Sequence, residues 1–130
     1  MRIGLWTLAG CGMMLAASAA SAAVTQDSFL LRNTGDLVDL CSAPQTDPLY
    51  TAAVNFCHGF GVGVVRTLQD QDAASRSGRL FCFPNPAPTR NEAVARFVQW
   101  ANADPSRLQM SAEDGIATYL SQQYPCPRRR

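Results

Sequence analysis

Histidine occurs once in the 130 residues, as His58, and lysine does not occur at all. The missing lysine reads as a composition bias and carries no functional meaning. The single histidine excludes more. A zinc site would need more imidazoles or free thiols than one histidine and four paired cysteines leave. Covalent haem attachment needs C-x-x-C-H, and Val54 stands where the first cysteine belongs. There is no G-x-S-x-G, no H-E-x-x-H and no phosphate-cradling glycine loop. Gly59, Gly61 and Gly63 fall inside a helical pattern, not after a strand, so they form no nucleotide fingerprint. Cys57 precedes His58, but adjacent helical positions project about 100° apart and their side chains do not face each other. Cys57 therefore reads as half of a bridge and not as a thiolate nucleophile. No pair of acids shows a catalytic spacing. The residues predict a protein that is not an enzyme and that uses no cofactor and no metal.

Charge of one sign is also lacking. Eleven arginines face ten acids, a formal net charge of +1, so no basic field exists to hold nucleic acid. Long apolar runs are absent beyond the N-terminus, and no later stretch approaches the ~18 apolar residues of a spanning helix. The beginning of the chain has the grammar of an export signal. Met1 and Arg2 precede an apolar run over residues 3–16, and Ala20-Ser21-Ala22 supplies the small-x-small cleavage pattern. Cleavage is expected between Ala22 and Ala23, which places the product in the periplasm. Leu8-Ala9-Gly10-Cys11 offers a second reading as a lipobox, with too short an apolar run before it.

Removing residues 1–22 leaves about 108 residues, enough for one core that buries roughly 65% of the unfolded surface. Hydrophobic residues at 47% and charged residues at 16% describe a globular chain. Four cysteines remain, Cys41, Cys57, Cys82 and Cys126, and an even count in an oxidising compartment predicts two disulfides. Spacing leaves all three connectivities open. Arg128, Arg129 and Arg130 read as a solvated tail, and without them the folded part carries about −3.

The pattern of the rest is helical. Residues 23–33 read as an extended arm before a core over 34–126. Thr34 is a candidate N-cap for a short helix carrying Leu37, Leu40 and Cys41 on one face. Asp47-Pro48 starts a long helix over about 48–69, with Tyr50, Ala53, Val54, Cys57, Phe60, Gly61, Val64 and Leu68 as its apolar stripe. Gly59 and Gly63 lie four apart beside that stripe, a spacing that suggests close approach by another helix. Residues 70–80 read as a polar loop containing Asp70, Asp72, Arg76 and Arg79. An extended segment around Cys82 and Pro84 follows it. Thr89 and Glu92 form a capping box for a helix with Val94, Phe97, Val98 and Ala101 inward. Asp104-Pro105 ends that helix. Ser111 and Asp114 open a last helix, with Ile116, Ala117, Leu120 and Tyr124 inward, which stops at Tyr124-Pro125-Cys126. These elements predict an all-α fold, a small four-helix bundle stapled by two disulfides.

Several of these phrases together resemble the Rap/Tai family of immunity proteins, which protect bacteria against type VI secreted peptidoglycan amidases. The resemblance is carried by Cys57-x-Gly59-Phe60-x-x-Gly63, by Phe81-Cys82-x-Pro84, and by Asp104-Pro105 with Tyr124-Pro125-Cys126. It runs from about Leu37 to Cys126. Phe60 stands where the family more often has tyrosine, a departure that removes one hydroxyl. The resemblance implies a periplasmic inhibitor, often a homodimer, that occludes the cleft of a cysteine-histidine amidase. The matched cysteines, glycines and apolar residues would build the scaffold. Partner contacts would fall on exposed loops, residues 69–79 first (Asp70, Asp72, Arg76, Arg79) and residues 85–89 second. A looser similarity to small periplasmic acid-stress chaperones implies a second function, and with it the pairing Cys41–Cys82 and Cys57–Cys126. A third reading is a periplasmic scaffold or binding domain with an unrelated partner.

Overall fold

The computed structural model describes residues 23–75 and 78–127. The export signal, the alternative Cys11 lipobox, Arg76 and the tail Arg128–Arg130 lie outside the described residues. Among the described residues every regular element is a helix and there is no strand. A 3₁₀ turn at Gln26–Leu30 precedes α1 (Thr34–Cys41), α2 (Tyr50–Ala74), α3 (Arg90–Asn102), α4 (Pro105–Leu108) and α5 (Ala112–Gln123). The one-turn α4 is the addition to the four helices expected from the sequence. Asp104 accepts from the Ser106 amide at 2.9 Å and Pro105 fills the first helical position, so the break after α3 also starts a new turn.

Residues 23–33 are not the extended arm that the sequence suggested. Val24 is buried beside Leu40, Ala53 and Cys57, and its amide donates to Asp47 Oδ2 at 3.0 Å. Phe29 meets Phe56 edge-on at 5.5 Å. Burial of these two apolar residues folds the segment back over the α1–α2 corner. Asn33, not Thr34, caps α1, its Oδ1 accepting from the Asp36 amide at 3.0 Å. Thr34 turns inward instead, and its hydroxyl donates to the Ser111 carbonyl at 3.0 Å.

Helix α2 runs five residues beyond the expected end at 69, because no glycine or proline interrupts the chain until Gly78 and Ala73 and Ala74 favour helix. Among the described residues, no other helix packs on Gly59 or Gly63. Both are exposed, and a β-carbon on either would meet nothing within 4 Å. They fall on the solvent side, because the stripe of Ala53, Cys57, Phe60, Val64 and Leu68 is the face turned to the core. The close helix approach is made by Gly115 of α5, where a β-carbon would collide with the Thr34 side chain.

Two disulfides staple the bundle, with the pairing Cys41–Cys57 and Cys82–Cys126. This corrects the pairing implied by likeness to acid-stress chaperones. The reason is local. A short connection turns α1 back onto α2, which brings Cys41 and Cys57 to a Cα separation of 5.2 Å. The extended segment after α2 lies along the end of α5, where the Cys82 amide donates to the Tyr124 carbonyl at 2.7 Å. That leaves Cys82 and Cys126 4.8 Å apart between Cα atoms.

The main core gathers Leu37, Phe97, Trp100, Ile116, Tyr119 and Leu120. The Trp100 indole donates to Gln122 Oε1 at 2.9 Å. The Arg107 guanidinium lies 4.5 Å from the centre of the Trp100 ring and donates to the Trp100 carbonyl, which pins α4 beneath α3.

Candidate functional site

Helix α2 packs on α1 and α5, and α3 packs on α1, α4 and α5, but α2 and α3 do not pack closely on each other. The space between them is a pocket of about 320 Å³. Its depth is formed by Leu37, Phe97, Ile116 and Leu120, all of them buried core residues. Val62 and Val65 of α2 face Ala93 and Val94 of α3 across it, with Phe83 and Pro88 at one end. The polar side chains at its mouth are His58, Arg66, Gln69 and Arg90, and no carboxylate lines it. Burial raises the Tyr119 phenol above its ordinary value, so this wall hydroxyl stays neutral at physiological pH.

The sequence-predicted partner loop is divided by the extra length of α2. Asp70 and Asp72 lie on its last turns, not in a loop. Asp72 is structural, since its Oδ2 accepts from the Leu80 amide at 2.9 Å and so fixes where the chain leaves the helix. Asp70 and Arg79 are exposed. Gly78 has a φ of 97°, a conformation that favours glycine. Asp72, Arg79, Cys82 and Cys126 line one hollow, so the second disulfide stiffens part of this surface. Residues 85–89 are largely exposed and contain a cis Asn85–Pro86 bond, and their Pro88 reaches the edge of the apolar pocket.

Cys57 is bridged and buried, which leaves His58 beside a disulfide and not beside a thiol. No group of three or more His, Cys, Asp or Glu residues is placed to hold a metal ion among the described residues. No helix among them is long and apolar enough to cross a membrane. Carboxylates shift where the fold grips them. Hydrogen bonds from Arg32 hold Asp36 below the usual carboxylate range, whereas burial, helped by nearby Asp36, pushes Asp39 above it. Sequence reasoning missed the pocket, because the pattern gives each helix a core face but not the angle at which two helices diverge.

No curated protein and no solved structure matches the chain. A family profile described as Rap1a immunity proteins matches residues 33–126, a span that starts at the Asn33 cap of α1 and ends at the last bridged cysteine. The chain belongs to the Rap1a immunity protein family.

Proposed function

We propose that this protein is a periplasmic immunity protein that binds a type VI secreted peptidoglycan amidase and blocks its active site. Family membership is the observation that carries the reading. Three features agree with it. Both cysteine pairs are bridged, a state that persists in oxidising compartments such as the periplasm. Residues 1–22 have the pattern of an export signal. The only cysteine next to the only histidine is consumed in a bridge, so a binding role fits the molecule better than a catalytic one. Exposed Asp70 and Arg79 are the first proposed contact residues, and the largely exposed segment 85–89 is the second.

The test is protection. Periplasmic delivery of a type VI secreted peptidoglycan amidase from the same genome is expected to lyse a sensitive cell, and co-expression of this chain with its export signal is expected to prevent lysis. The purified pair forms a stable complex in which cleavage of peptidoglycan peptides stops. Unimpeded cleavage at a molar excess of folded protein would overturn the amidase reading. Protection by a chain lacking residues 1–22 would overturn the periplasmic one.

A further inference from the structure

We propose that the pocket between α2 and α3 is a binding site for a medium-chain fatty acid, with the acyl chain inside the bundle and the carboxylate at the mouth. The inference is independent of the immunity function. It starts from the mismatch between walls and rim. The walls come from four helices, with Leu37, Val65, Phe97 and Leu120 as one contribution from each. Water in such a space lacks the two to four polar partners that hold an ordered molecule, so its release favours an apolar occupant. The volume of about 320 Å³ is roughly twice that of the engineered ~150 Å³ cavity that takes benzene, and it lies at the lower edge of the ~300–1,000 Å³ range of ligand pockets.

The mouth supplies the sign of the ligand. Arg66 and Arg90 stand on the two helices that diverge, with His58 about two turns before Arg66 along α2. Neither arginine forms an ion pair within the described residues. No Asp or Glu lines the pocket, although the folded part as a whole carries more acids than bases. Two guanidiniums without an ion-pair partner among the described residues, at the mouth of an apolar pocket, match a carboxylate on a hydrocarbon chain, since guanidinium donors suit carboxylate geometry. The same charge arrangement repels a cationic amphiphile. The walls offer too few donors and acceptors for a sugar or a nucleotide.

Calorimetric titration of the oxidised protein with sodium decanoate below its micellar concentration tests the proposal, with decanol and decyltrimethylammonium as controls. One saturable decanoate site is expected, with decanol at least about tenfold weaker and the cation not binding. Arg66→Gln combined with Arg90→Gln is expected to weaken decanoate at least about tenfold and leave decanol unchanged. Val62→Trp, which fills the space, is expected to abolish binding of both, with thermal melts confirming that each variant is folded. Absence of a decanoate site in the folded wild type would overturn the proposal. So would binding that ignores head-group charge or survives Val62→Trp. If the wild type ignores decanoate and Val62→Trp instead splits a dimer or releases an amidase, the space belongs to a protein partner and the proposal falls.

Discussion

The Thr34 side chain occupies the place where Gly115 would carry a β-carbon, so α1 and α5 meet at a distance that only glycine permits. Thr34 is fully buried there, its amide donates to the Met110 carbonyl at 2.8 Å and its hydroxyl bonds to Ser111. Neither partner can retreat without breaking those bonds. Gly115→Ala is therefore expected to destabilise the fold by about 1–3 kcal/mol, the usual range for overpacking. Gly59→Ala and Gly63→Ala are expected to do the reverse. Both sites are exposed helix interior with open space, and each exchange should stabilise by up to about 1 kcal/mol through helix propensity. Denaturant melts of the three variants check both signs, and equal effects at Gly63 and Gly115 would contradict the packing described.

The two disulfides close loops of different length, with sequence separations of 16 and 44. Chain entropy credits them with about 3 and about 4 kcal/mol respectively. Their sum is comparable to the whole ~5–15 kcal/mol stability of a domain, so full reduction is expected to unfold most of the protein. Replacing Cys82 and Cys126 by alanine should lower the melting temperature more than replacing Cys41 and Cys57. A melt that barely moves on adding a reductant would refute the first expectation. Peptide mapping of the oxidised protein checks the pairing itself.

Two carboxylates of α1 respond to pH in opposite directions. Asp39 is half-buried and its carboxyl is raised, first by burial and then by Asp36, so its ionised form costs stability in the folded state. Asp39→Asn should raise the melting temperature at neutral pH. The gain should vanish as the pH falls through the raised value, where the native carboxyl takes up its proton. Asp36 is lowered by its hydrogen bonds from Arg32, so its contribution holds at neutral pH. That contribution is lost only as the pH falls through the depressed value. Asp36→Asn should thus lower the melting temperature at pH 7 and become neutral in strong acid. Melting curves followed from pH 8 down into strong acid separate the two.

Much of this fold was legible in the sequence, because capping chemistry is local. Thr89 with Glu92 and Ser111 with Asp114 each mark a helix start by a side chain that reaches its own backbone, whereas Asp104-Pro105 reads only as the end of α3, and the short α4 that it also opens is added by the structure. The end of α2 was not legible, since Asp70 and Asp72 look like loop residues until Asp72 is seen holding the Leu80 amide. The helix-packing glycine was misplaced for a related reason. A spacing of four identifies residues on one face, as with Gly59 and Gly63, but only the three-dimensional arrangement says whether that face meets a neighbour. Gly115 is alone in its helix and gave no pattern to read. Disulfide pairing, likewise, depends on which elements fold back on each other, and the short α1–α2 corner settles it.

The division of labour around the end of α2 gives a prediction for inhibition. Asp72 is committed to the Leu80 amide, whereas Asp70 and Arg79 are exposed and make no such bond among the described residues. Asp72→Ala removes a charge-assisted hydrogen bond and is expected to cost about 1 kcal/mol of stability, visible in a melt. Asp70→Ala and Arg79→Ala should leave the melting temperature within about 1 °C of the native protein, since exposed substitutions away from structural bonds change stability little. If this surface meets the amidase, those two variants should weaken inhibition about tenfold or more while remaining fully folded. Titrating amidase activity against each folded variant reads the effect directly. Undiminished inhibition by the Asp70→Ala, Arg79→Ala double variant would move the contact elsewhere, with residues 85–89 the next region to probe.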